Sequence, residues 1–156
     1  MGLKSLALSC VAMVVLTAAT AWGGAPKWVL IDSSPEQSDF YFDSAGAVIS
    51  PEGVATVTVK VAYTPEGKLE TLAMLKNDKV YADLGYTLYS YDLNCSVATQ
   101  RLISVGHFDS KGVKIREFSL KGKTGWEDIP PDSRMDIVKE QACPPEDEQP
   151  EPKPAK

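Results

Sequence analysis

The sequence is poor in the residues that most enzyme chemistry needs. It has one histidine and three cysteines in 156 residues. The single histidine, His107, would have to serve any Ser-His-Asp triad, and no GxSxG elbow accompanies it. It reads as a structural or surface histidine. Cys10, Cys95 and Cys143 form no CxxC and no CxxCH, so neither a zinc ligand set nor a c-type haem attachment is written into the chain. "GKTG" at 122–125 carries a Lys-Thr pair but lacks the first glycine at Walker spacing, and reads as a hairpin turn. Asp and Glu gather at turns and near the C-terminus, without a pair in contrasting environments. No catalytic residue, metal ligand or cofactor is therefore assigned, and the chain is read as a non-enzyme. Positive charge is also scarce: the formal net charge is −5, which speaks against general nucleic-acid binding.

Long apolar runs are missing too, with one exception at the start. Lys4 is followed by "SLALSCVAMVVLTAATAWGGA", a basic residue, an apolar core and small residues. That order is a secretory signal, with cleavage between Ala21 and Gly24 and residues 1–23 as the leader. As a transmembrane anchor the run is at the short limit, and Trp22 and glycines stand where a basic flank would be. Any membrane contact of the remaining chain is expected to be peripheral. Cys10 precedes the most apolar part of the run, so it is expected to leave with the leader rather than carry lipid. Loss of Lys4 lowers the charge by one, from −5 to −6. Cys95 and Cys143 remain. An even count in an exported chain suggests one disulfide, with two buried free thiols as the alternative.

What is there reads as one domain, 24–143, of short strands joined by turn signals. "KWVLIDSS" and "DFYFDSAG" are short strands. In "VATVTVKVAYT", Val57, Val59, Val61 and Tyr63 alternate with Thr56, Thr58, Lys60 and Ala62, a half-buried strand with one wet face. "PEGK" at 65–68 reads as a turn, and "LETLAMLKNDKV" as a connection, in which Leu69, Leu72, Ala73 and Leu75 form one turn or two of helix, or a loop. Two strands follow, about Gly85 to Leu93 and Ser96 to Phe108, with a bend near Asn94. "DSKG" is the next turn and "VKIREFSL" another alternating strand. The expected fold class is α+β, mainly β: an antiparallel sheet of about six strands with a C-terminal α-helix. Ser133 caps that helix with Asp136 three positions on, and Met135, Val138 and Ala142 share one face. A helix of about ten residues is marginal alone. A bond from Cys143 to Cys95 would fasten it to the sheet. Residues 144–156, "PPEDEQPEPKPAK", have no large apolar residue and are expected to be disordered.

Two surfaces are candidates for binding. Lys111, Lys114, Arg116, Lys121 and Lys123 lie in a stretch with Glu117 as its only acid, and period two places Lys114 and Arg116 on one strand face. Such a segment can attract an acidic protein segment or a sulfated glycan, or it can be the wet face of an edge strand, where lysines deter aggregation. Tyr81, Tyr86, Tyr89 and Tyr91 crowd another region, with Tyr89 and Tyr91 on one face and Tyr86 on the other. Those left exposed would suit a protein partner.

Several landmarks then occur in a familiar order: Trp28 in "KWVLI", "YFD" at 41–43, "YSYDLNC" ending at Cys95, Gly112 after Phe108-Asp109, "WEDIPPDS" from Trp126 to Ser133, and the closing Cys143. In these the chain resembles the surface-adhesin protein E-like family of exported bacterial domains. Asn94, where the family pattern has Asp, and "TVTVKV", which lacks the family's tryptophan, depart from it. The resemblance implies a mainly antiparallel sheet whose C-terminal helix is tied back by a disulfide between Cys95 and Cys143. It also implies an envelope or surface protein that binds host matrix or plasma proteins, as a monomer or a homodimer. The functional expectation is an exported, non-enzymatic binding protein with a protein or glycan ligand. Its rival is a periplasmic envelope protein with a structural or small-ligand role.

Overall fold

The computed structural model describes residues 25–145, so the leader and the tail beyond residue 145 lie outside the described residues. Strands β1 (Trp28–Ser34), β2 (Ser38–Asp43), β3 (Val48–Ile49) and β4 (Val54–Tyr63) lead into helix α1 (Pro65–Met74) and a 3-10 turn, Lys79–Tyr81. Then come β5 (Leu84–Asn94), β6 (Thr99–Asp109), β7 (Lys114–Ser119), β8 (Glu127–Asp128) and helix α2 (Arg134–Ala142). The pairing is antiparallel throughout, in the order β1-β2-β4-β5-β6-β7. The six-strand sheet is as expected. The two-residue strands β3 and β8 are added to it, beside β4 and β6.

Period two divides the sheet into two faces. On one, Phe40, Phe42, Ala55, Val57, Val59 and Leu93 are buried together with Ile129, Val138 and Ala142. The expected face of α2 is therefore the one that packs, with Met135 against its margin. Ser133 caps α2, its hydroxyl accepting from the Asp136 amide at 3.2 Å. Asp136 reaches back to the Asp132 amide rather than to its cap, at 3.0 Å, which with Lys139 holds its carboxyl below the usual range. The Cys95–Cys143 disulfide joins the end of α2 to the residue after β5. Arg134 pairs with Asp32, tying the start of α2 to β1.

Two local expectations need correction. "PEGK" is not a turn but the first turn of α1, and the residues after it are helical. Thr64 is the N-cap, its hydroxyl accepting from the Gly67 amide at 3.2 Å, and Pro65 needs no donor at the first helical position. Gly67 touches the Gln37 backbone, where a Cβ would overlap the carbonyl oxygen. Lys114 and Arg116 do not share a face either. His107 pairs with Arg116 and Phe108 with Lys114, so Ile115 is the extra residue of a β-bulge. The bulge sends Arg116 to the covered face and Lys114 to the other. A second bulge, at Ile31 between Leu30 and Asp32, interrupts β1. Both outer strands of the sheet are thus bent, a common defence of exposed edges.

Candidate functional site

Among the described residues, no helix packs on the second face of the sheet. It is built from Trp28 and Leu30 on β1, Asp39, Tyr41 and Asp43 on β2, Thr56, Thr58 and Lys60 on β4, Tyr86, Leu88, Ser90 and Asp92 on β5, Arg101, Ser104 and Phe108 on β6, and Lys114 and Glu117 on β7. Most of these side chains are half-buried or exposed. Leu30 is 52% exposed and Val48, beside Thr56, 67%. Aliphatic and aromatic residues left this open are not supporting a core.

At one end the aromatic residues surround a cation. The Lys60 ammonium lies 4.5 Å from the ring centroid of Trp28, 4.6 Å from Tyr41 and 5.9 Å from Tyr86. Register brings them together: Tyr41 is the cross-strand partner of Lys60, while Trp28 and Tyr86 sit one pair away on β1 and β5. Partial burial holds the Lys60 pKa below the ordinary lysine value. Tyr86 stacks on Phe108 with centroids 5.0 Å apart. Gly106 makes room, since a Cβ there would crowd the Phe108 ring. Lys114 lies 5.8 Å from the Phe108 centroid and is bonded to Glu117 at 2.6 Å.

At the other end is a cleft of about 390 Å³ lined by Val48, Glu52, Thr56, Asp92, Arg101 and Lys121, among others. Asp92 is buried and well bonded: Thr56 Oγ1 donates to it at 2.8 Å, and Arg101 Nε and Nη2 at 3.0 and 2.8 Å. Arg101 also stacks on Trp126, at 4.5 Å. Thr58 and Ser90, their hydroxyl oxygens 3.5 Å apart, join the two ends.

The five cations singled out in the sequence are dispersed. Lys111 is exposed in the turn that Asp109 holds by accepting from the Lys111 and Val113 amides. Lys114 and Lys121 belong to the open face. Arg116 is over Tyr81, 5.6 Å from its centroid, and 3.8 Å from Asp78. Lys123 donates to the Ser119 carbonyl at 3.2 Å. Of the four tyrosines, Tyr86 is on the open face, Tyr89 and Tyr91 are on the covered one, and Tyr81 is buried. Burial pushes the Tyr89 and Tyr91 hydroxyls well up.

His107 is a buried structural residue. Tyr63 donates to Thr87 Oγ1 at 2.9 Å, and the same oxygen shares a hydrogen bond with His107 Nδ1, also at 2.9 Å. Tyr81 and Phe118 meet the ring edge-on, and burial lowers its pKa. Among the described residues, no group of His, Cys, Asp and Glu is placed to hold a metal ion, and no helix is long and apolar enough to cross a membrane.

No family model and no curated protein matches the chain. Among solved structures it is similar to the selenomethionine form of Haemophilus influenzae protein E, at 13% identity over 74% of this chain and 89% of that one, with a TM-score of 0.44.

Proposed function

We propose that the protein is an exported, non-enzymatic binding protein of the cell envelope or outer surface, and that the open sheet face is where it engages a host matrix or other extracellular protein. One observation carries the reading: both helix α2 and the disulfide serve one face, while the other keeps Trp28, Leu30, Tyr41, Tyr86 and Phe108 partly in water around a lysine. Mixed aromatic and cationic surface of this kind suits a protein interface. The disulfide fits an oxidising compartment, as does the leader pattern at residues 1–23.

The test begins with protease shaving of intact cells. Release of peptides from residues 24–156 is the expected result. Purified matrix and plasma proteins are then offered to the displayed protein. Thr58→Arg, in the middle of the open face, should abolish capture, while Glu140→Arg on exposed α2 should not. Capture that survives Thr58→Arg would overturn the face. Protection from protease until the outer membrane is opened would favour the second reading, a periplasmic protein with a structural or small-ligand role. The cleft beside Asp92 and Arg101 is what speaks for that reading.

A further inference from the structure

Lys60 is the only charged side chain between Val54 and Tyr63 on β4, in the middle of the sheet. It makes no hydrogen bond or ion pair with an acid among the described residues; its neighbours are the Trp28, Tyr41 and Tyr86 rings. Both acids of β2 lie two residues from Tyr41 and are engaged elsewhere: Asp39 accepts from the Ser33 and Tyr41 hydroxyls at 2.6 and 3.2 Å, and Asp43 from the Lys27 and Ala45 amides at 2.8 and 3.2 Å. A cation that rings have partly stripped of water has already met much of the desolvation cost of binding an anion, and its position is set before the anion arrives.

We infer that the caged Lys60 ammonium is the anchor for a carboxylate of an acidic, extended segment of the partner protein. The inference rests on the reading of the open face as a binding surface. The charge at Lys60 supports it: no acid among the described residues is paired with the ammonium, and three rings fix its position. Thr56, at the cleft, is four residues from Lys60, or about 14 Å along the strand. There the cations Lys121 and Arg101 share the lining with the acids Glu52 and Asp92, and Asp92 is paired with Arg101. An extended peptide running along β4 repeats that spacing, so a segment with its acid at Lys60 places the residue four positions on at this mixed-charge cleft. The Thr58 and Ser90 hydroxyls lie between them, and Leu88 and Leu30 flank the track. A sulfated glycan fits less well. Trp28 and Tyr41 already present a face to Lys60, and Tyr86 and Phe108 present one to each other, where a sugar would need ring faces free.

The probe is a short poly-L-glutamate titrated into the disulfide-bonded protein at physiological salt, followed by the Trp28 indole N–H resonance. Saturable shifts are expected. Lys60→Gln should weaken binding at least about tenfold, the loss of one charge-assisted contact. Lys60→Arg should stay within a few-fold, and Lys123→Gln, in the turn beyond β7, should change nothing. Unfolding midpoints of all three variants establish that each is folded. Equal losses in Lys60→Gln and Lys123→Gln would reduce the effect to net charge and overturn the site. So would a heparin oligosaccharide that binds more tightly than poly-glutamate through Lys60, since the ligand class would then be a glycan. If poly-glutamate ignores Lys60 while Thr58→Arg still blocks capture of the extracellular protein, the anchor falls and the binding face stands. If poly-glutamate needs Lys60 but capture survives Thr58→Arg, the anchor stands as an anion site and the binding face falls for that partner.

Discussion

Along β4, Val57 and Val59 are 1% and 0% exposed, while Thr58 and Lys60, one residue on from each, remain in contact with water. The same strand supplies both faces of the sheet under the same backbone hydrogen bonds. What differs is what each face has been given to pack against. The covered face meets α2, Ile129 and the disulfide, so its aromatic residues, Phe40 and Phe42, are buried. Among the described residues the open face has no such layer, yet it too is aromatic. Core packing explains the first set of rings and leaves the second without a stabilising role of comparable size.

The sharpest way to break that contrast is to truncate neighbours on β2 that point in opposite directions. Phe42→Ala removes a buried ring and should cost about 3–5 kcal/mol. Tyr41→Ala removes a ring from the open face, with its lysine contact and its bond to Asp39, and should cost about 1 kcal/mol. Urea unfolding of the two single variants measures both. Equal losses would mean that the open face is a second core.

Next in size is the disulfide. It joins residues 48 apart in the chain, and closing such a loop contributes up to about 4 kcal/mol by the chain-entropy estimate. Cys143→Ser should release α2 first, because nine residues of helix do not hold themselves together in water. Amide exchange of α2 should rise while the centres of β5 and β6 keep their protection. Unchanged exchange in α2 would show that Val138 and Ala142 alone hold the helix, and that the covered face needs no staple.

The covered face was largely legible in the sequence, and the open face was not. Alternation in "VATVTVKV", the Ser133 cap, the Met135, Val138 and Ala142 stripe, and the pairing of Cys143 with Cys95 all depend on local pattern or on a small choice of partners. Helix α1 was only half legible: Leu69, Leu72, Ala73 and Leu75 allow a turn or two of helix as readily as a loop, because Leu69 and Met74 are exposed and Gly67 sits inside the helix. Its evidence was the Thr64-Pro65 start, which reads as a cap as readily as a turn. The bulge at Ile115 escaped because a one-residue slip has no composition of its own. The Lys60 site draws on positions 28, 41, 60 and 86, which become neighbours only once the order β1-β2-β4-β5 and its register are known. The one signal available was a lone lysine in a strand of valine and threonine.

A smaller effect separates the faces by pH. His107 belongs to the covered face and is the one histidine in the chain. The groups around it are Thr87 on β5, Tyr63 on β4, Tyr81 and Asp78 of the 3-10 turn, and Arg116 and Phe118 on β7. Its folded pKa lies below the unfolded value near 6.5, because burial favours the neutral ring. The unfolded chain therefore binds the proton first as pH falls. The contribution of His107 is whole above about pH 6.5 and is lost below it, by no more than about 1.4 kcal/mol per pH unit. Unfolding free energies at pH 7.5 and 5.5, set against those of His107→Gln, isolate this slope from the carboxylates. An equal slope in both proteins would mean that His107 does not titrate there. Poly-glutamate binding through Lys60 should show no such break between these pH values.

The smallest expected change is the most informative about the open face. Lys60→Met keeps the length of the side chain and removes its charge. It gives up cation–π contacts worth about 0.5–1 kcal/mol at a partly exposed site, and it also removes the cost of holding an ammonium among rings. The two terms oppose each other, so stability should stay within about 0.5 kcal/mol of the parent. A loss several times larger would make Lys60 a structural residue, with the rings of Trp28 and Tyr41 needing it as their cover. A negligible change joined to lost capture of an acidic partner would mean the reverse: a cation set in the middle of a sheet that the fold does not need, and that only something outside the fold can use.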